Sequence, residues 1–182
     1  SLRMVGETCQ QRYLLHRAQH PFRFWSEVAS ASRKTGVGWE LLLAVAKEES
    51  RFSPGVKSSA GAIGLMQLLP ETANELVKIP LDDHILAQPK VNIFLGASYL
   101  AKLIKRWDGN LLLSVASYNA GPTTVSRWVS SYQEIKSEPE IWVERIPYPE
   151  TRFYTKKVLG SLWSYMHIER EACAELGNEN IK

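Results

Sequence analysis

Cysteine is scarce: Cys9 and Cys173, near opposite ends, are the only two in 182 residues. They form no Cys-x-x-Cys pair, which excludes the common redox and zinc-binding patterns. A bridge between the terminal segments in an oxidising compartment and two unrelated thiols both fit. No apolar run approaches the roughly 20 residues of a membrane span, so the chain does not read as an integral membrane protein. Charge of one sign is also missing. The net charge is +3, and the densest basic groups, Arg33-Lys34 and Lys156-Lys157, are mere pairs. Nucleic-acid binders carry a clustered basic stripe, so no nucleic-acid partner is expected. "GVG" at 36–38 lacks the third glycine and the preceding strand of a dinucleotide loop. There is no phosphate-binding loop and no G-x-S-x-G elbow. His16 and His20 are spaced to share a helix face, but Arg17 stands where a zinc protease has Glu, and no metal site is expected. Neither strand-like alternation nor a fixed-period repeat is visible.

What is present is ordinary for a globular chain: 45% apolar and 23% charged residues. The length suits one domain, 1–182, able to bury on the order of 70% of its unfolded surface. The chain opens on Ser1, which reads as a processed start, so the missing export signal says little.

Proline and glycine divide the sequence into helices. "FRFWSEVASASRKTG" places Phe22, Trp25, Val28 and Ala29 at helical spacing, with Gly36 as its stop. "GWELLLAVAKEES" has Trp39, Leu42, Leu43 and Ala46 on one side and Leu41 and Val45 on another, the pattern of a buried helix. Pro70, Pro89, Pro122 and Pro149 each stand at a first helical position. The helix from Pro89 stacks Ile93, Ala97, Leu100 and Ile104. Asn110 is placed to cap "LLLSVASYN", which Gly121 closes. The short helix from Pro122 carries Val125, Trp128 and Val129. The last helix runs from Pro149 to about Leu176, with Tyr154, Val158, Leu162, Tyr165 and Ile168 as its apolar stripe. The stretch near 130–140 reads as a surface loop. The fold class is all-α.

Two carboxylates, Glu48 and Glu49, end the buried helix about 100° apart around its axis. Glu49 continues the stripe of Trp39, Leu42 and Ala46, and Glu48 that of Leu41 and Val45. A carboxyl on an apolar stripe loses hydration, which raises its pKa. The negative end of the helix dipole acts in the same direction. A proton held near neutral pH suits a general acid. An ion-paired Glu at a wet helix end is the plainer reading of this stretch alone. The loop that follows holds Gly61 and Gly64, which permit close backbone approach. Ser58, Ser59 and Gln67 supply hydrogen-bonding groups fit for a sugar or a peptide.

The motifs "ES" at 49–50, "SSAGAIGLMQLLPETA" at 58–73, "SYNAGP" at 117–122 and "ERIPYPETRFY" at 144–154 occur in that order. "PKVNIFLGASYL" at 89–100 belongs with them. Together they resemble the soluble lytic transglycosylase family, murein-cleaving enzymes with a lysozyme-like fold. The likeness covers about residues 36–165, with helical extensions at both ends. The large superhelical region found in that family has no room in this chain.

The resemblance implies that Glu49, the Glu before Ser, is the sole catalytic acid and base. It implies that Ser58, Met66 and Gln67 line a glycan groove, with Tyr118 and Asn119 facing Glu49. Glu150 takes the place of the family's second acidic residue, although a first-turn carboxylate also complements a helix dipole. Three departures fall on the expected groove wall: Ser117 for Ala, Tyr148 for Phe and Leu69 for Met. The implied reaction cleaves the β-1,4 bond between N-acetylmuramic acid and N-acetylglucosamine and leaves a 1,6-anhydro end. It needs no metal or organic cofactor. The partner is the peptidoglycan strand, and the place is the cell envelope, the bacterial periplasm. Two rival readings stand beside it. One is a goose-type muramidase, with Asp82, Asp83 or Glu150 as the base. The other is a noncatalytic peptidoglycan-binding module. Six Trp and seven Tyr could supply sugar-stacking faces, with a core role as the default for most.

Overall fold

The computed structural model describes residues 17–131 and 138–178. Cys9, His16, residues 132–137 of the expected surface loop and the side chains of Ile168 and Cys173 lie outside this description. Among the described residues the protein is helical. The only β pairing among these residues consists of isolated bridges, Lys57 with Ile63 and Ile63 with Leu68.

Helix α1 (Trp25–Thr35) ends where the Gly36 N–H bonds the Ser32 carbonyl. Helix α2 (Trp39–Ser50) buries every residue from Leu41 to Ala46, as its all-round apolar sequence requires. After a loop come α3 (Pro70–Val77), α4 (Asp83–Ala87) and α5 (Pro89–Arg106). Helix α6 (Leu111–Ala120) starts at Asn110, whose side chain accepts from the Leu113 N–H as expected of a cap. Helices α7 (Pro122–Ser131), α8 (Pro139–Glu144) and α9 (Pro149–Asn178) complete the order. Pro70, Pro89 and Pro139 sit in first turns, where the missing N–H costs nothing.

Helix α2 runs through the main core. It packs on α9 and on α1, while α5 joins α1 and α6. Leu42, Leu43, Leu65, Met66, Leu100 and Tyr165 are fully buried there. A second cluster, with Val125, Trp128, Trp142 and Ile146, ties α6 and α7 to α8. A third, with Ile63, Leu68, Leu86 and Leu95, lies under the loop between α2 and α3.

That loop is held from below by Asn92 on α5. Asn92 is fully buried. Its Nδ2 donates to the carbonyls of Ile63 and Leu86, at 2.9 and 3.0 Å, and its Oδ1 accepts from the Met66 N–H at 2.7 Å. Gly64, at φ +80°, passes so close that a Cβ there would lie 2.6 Å from Nδ2 of Asn92. Gly96, one turn further along α5, lets Met66 press on the helix backbone: a Cβ would meet that of Met66 at 2.7 Å. The chain reaches this loop through Arg51 and Phe52, two left-handed residues in succession at φ 51° and 61°. Such bulky side chains rarely adopt that conformation, and the cost is met by burying Phe52.

Candidate active site

The end of α2 divides its two carboxylates between opposite sides. Glu48 turns toward α9, where its Oε1 accepts from the Ser161 hydroxyl at 2.7 Å and from the Lys47 ammonium at 3.3 Å. Lys47 also reaches Ser161 at 2.9 Å and His20 Nε2 at 3.2 Å, so Glu48 belongs to a polar cluster behind the helix. Glu49 turns into a cleft. The structure thereby assigns the sides that helical periodicity alone left open, since both flanks of α2 are buried.

The cleft encloses about 450 Å³ between the α2–α3 loop, α5, the end of α6 and the start of α9. Glu49, Ser58, Gln67, Tyr118, Asn119 and Glu150 all line it. Six of the seven residues singled out from the sequence therefore share one surface. Met66 does not: its side chain is fully buried against Gly96. Its backbone still bears on the cleft, because the Tyr118 hydroxyl donates to the Met66 carbonyl at 2.8 Å. Tyr118 is thus pinned to the loop from α6.

Glu49 keeps its proton to an unusual pH. Burial raises its pKa from 4.5 to about 7, against the hydrogen bond from Tyr154, and the charge of Glu150 adds to the rise. Desolvation wins because it penalises only the ionised form. The Tyr154 hydroxyl donates to Glu49 Oε1 at 2.6 Å. Burial and the charge of Glu49 push the phenols of Tyr154 and Tyr118 well above the usual tyrosine range, so both act as hydrogen-bond donors.

Other partners fix the cleft wall. Ser58 Oγ accepts from the Ala62 N–H at 3.0 Å, closing its own turn. Gln67, in a left-handed conformation at φ 45°, spends its amide N–H groups on the carbonyls of Gly64 and Val56, at 2.8 and 3.2 Å. Its oxygen is the acceptor left for a ligand. Asn119 Oδ1 accepts from Thr151 at 2.6 Å, which commits its NH₂ to the other direction. Tyr99 packs on Tyr118 with ring centroids 5.4 Å apart.

Sequence reasoning missed Tyr154, Thr151 and Tyr99. Tyr154 belongs to the apolar stripe of α9, and its ring packs there, but its hydroxyl serves Glu49. The available signal was its place four residues after Glu150 on one helix. Among the three departures, Leu69 lines the cleft, and Tyr148 lines an adjoining recess of about 410 Å³ with Asn119 and Glu150. Ser117 does not belong to the wall; it is fully buried and accepts from the Trp107 indole N–H at 2.8 Å. Asp82 and Asp83 also stand away from the cleft. Asp82 caps α4, and Asp83 pairs with Lys57 at 2.7 Å. A larger cavity of about 770 Å³ between α1 and α5 is mainly apolar and holds none of these groups. No cluster of three or more acidic, His or Cys groups fit for a metal occurs among the described residues.

The Transglycosylase SLT domain family model matches residues 26–141. The chain belongs to this family. A soluble lytic murein transglycosylase of Salmonella typhimurium is 36% identical over 141 residues, 75% of this chain and 22% of that protein. The chain thus spans about a fifth of that relative's length. The crystal structure of the 70 kDa soluble lytic transglycosylase of Escherichia coli superposes with a TM-score of 0.79 at 31% identity, covering 85% of this chain and 26% of that one. An inactive Glu-to-Gln mutant of the Pseudomonas aeruginosa lytic transglycosylase Slt gives a TM-score of 0.77 at 32% identity, over the same 85% of this chain and 26% of that one. The all-α, lysozyme-like class expected from the sequence holds for this SLT domain. The family match ends before Glu150 and Tyr154, so the last helix enters the site from outside the matched segment.

Proposed function

We propose that this SLT domain cleaves the β-1,4 bond between N-acetylmuramic acid and N-acetylglucosamine in peptidoglycan, with Glu49 as acid and then base. The observation that carries this reading is a largely desolvated carboxyl, pKa about 7, in a cleft of hydrogen-bonding groups. At neutral pH about half of such a group is protonated, which suits donation and return of one proton. Protonated Glu49 donates to the glycosidic oxygen as the C1–O bond breaks. The carboxylate that remains takes the proton of the muramoyl C6 hydroxyl, whose oxygen closes on C1. The product carries a 1,6-anhydro ring, and no water is consumed.

Tyr154 holds one oxygen of Glu49 throughout this exchange and leaves the other for the substrate. Asn119 lines the cleft with its oxygen engaged by Thr151, so its NH₂ can donate to a sugar oxygen or acetamido carbonyl. The names of the relatives, and the inactivity of a Glu-to-Gln mutant of one, agree with this reading. The same names favour action on murein in the bacterial cell envelope, for which the periplasm is the natural place. No helix among the described residues is long and apolar enough to cross a membrane.

A hydrolytic, muramidase-type reading keeps one support: Glu150, which shares the cleft with Glu49 and raises its pKa. An inverting mechanism sets two carboxyls about 6.5–9.5 Å apart around a water. Mass spectrometry of purified peptidoglycan digested by the protein separates the two. Anhydro ends, one water lighter than reducing ends and lost in Glu49→Gln, are expected. Reducing ends would establish hydrolysis, and Glu49-independent products would overturn the site.

A further inference from the structure

Between Phe153 and Trp163 the solvent face of α9 sets exposed aromatic rings among lysines. Phe153 and Trp163 are each 61% exposed, the highest of the large apolar side chains among the described residues. They lie on one strip with Lys156, Lys157 and Gly160, at spacings of three and four residues, opposite the buried Thr155, Val158 and Tyr165. Trp163 is held in place: the His167 ring stacks on it at 3.7 Å and 29°, and His167 Nδ1 donates to the Trp163 carbonyl at 2.9 Å. At Gly160 an added Cβ would touch nothing within 4 Å, so the surface between Phe153 and Trp163 is low and open.

This strip joins the cleft. Glu150 lines both the cleft and its adjoining recess. Phe153 is three residues further along the same helix and therefore its neighbour on the surface. From there the strip rises about 1.5 Å per residue, which sets Trp163 roughly 15 Å beyond Phe153.

We propose that the outward face of α9 is a second glycan-binding surface, which continues the cleft and holds a peptidoglycan strand beyond the cleaved bond. It rests on the reading of the cleft as a peptidoglycan site. Flat aromatic rings present an apolar face to the C–H face of a pyranose. Lys157 complements the carboxylates of lactyl groups and stem peptides, and its attraction adds reach at low salt, whereas Lys156 is already ion-paired with Glu144. Gly160 leaves room for a substituted sugar between the two rings.

The test is sedimentation binding to insoluble peptidoglycan, using the uncleaving Glu49→Gln protein as the parent. Trp163→Ala with Phe153→Ala is expected to weaken binding about tenfold, while affinity for a short tetrasaccharide that fits the cleft changes less than twofold. Gly160→Glu is a second probe. It replaces a helix-interior glycine with a better helix former, so folding is kept, and it sets bulk and negative charge in the strip. It should weaken polymer binding several-fold without lowering the melting temperature. If both variants bind polymer as tightly as the parent, the outward face of α9 is no glycan site. That failure is distinct from failure of the proposed activity, which would show as absence of Glu49-dependent anhydro products.

Discussion

The Tyr154 hydroxyl lies 2.6 Å from Oε1 of Glu49, across 105 residues of sequence. This bond favours the carboxylate, and burial opposes it with the larger effect. Removing it therefore sends the pKa of Glu49 further up. In Tyr154→Phe the alkaline limb of the pH–kcat profile is expected to move to higher pH. The maximal rate should fall about tenfold, the equivalent of roughly 1.4 kcal/mol of lost orientation. A limb that stays in place would show that Tyr154 merely packs.

Glu150 acts on the same proton with the opposite sign. Its charge disfavours ionisation of Glu49. Glu150→Gln removes that repulsion, so the alkaline limb is expected to move to lower pH. If hydrolysis were the reaction, this variant would also lose most of its turnover, about 10²-fold or more. A pH–rate profile of product formation reads both effects.

Glu49 itself should cost the fold stability at neutral and alkaline pH. Its pKa is 4.5 when unperturbed and about 7 in the folded protein, so the folded state binds the proton more tightly. Stability then falls as pH rises from about 4.5 to 7, and the cost is complete above that window. The shift corresponds to about 3 kcal/mol at most. Glu49→Gln is expected to melt higher than the native protein at pH 8, with the gain vanishing near pH 4. Denaturation curves at the two pH values measure it.

Asn92 carries the loop that shapes the cleft floor. Truncation to Ala leaves the Met66 N–H and the Ile63 and Leu86 carbonyls without their partner. Each buried group so orphaned costs about 1–3 kcal/mol unless water enters. Asn92→Ala should lose roughly 3 kcal/mol, and the melting temperature should drop by about 6–12 °C in a chain of this size. Calorimetry is the measurement, and a drop of less than a degree would mean that water takes over all three bonds.

The helices that read most clearly from sequence are those with punctuation at both ends. Asn110 and Gly121 bracket α6, and Gly36 stops α1, because caps and breakers act locally. Helices α4 and α8 escaped notice. At five and six residues they are too short to show a period. Helix α8 buries Trp142 completely, a role visible only once α6 and α7 pack against it. At the site, the linear motifs located six cleft residues, but they could not separate the side chain of Met66 from its backbone. Tyr154 and Thr151 fall inside the last motif, but their value lies in Glu49 and Asn119, the groups they face across the cleft, which a linear motif does not show.

Helix α9 reaches back to the end of α2 twice, through Tyr154 to Glu49 and through Ser161 to Glu48, a span of 113 residues. Contacts so distant in sequence form late, because the intervening loop must first be closed against its entropy. A chain that emerges from its N-terminus has α2 and the glycine-rich loop long before α9 is available. Until that last helix docks, one side of Glu49 is open to water, and the desolvation that keeps its proton is incomplete. The acid strength of this carboxyl is therefore a report on completed folding.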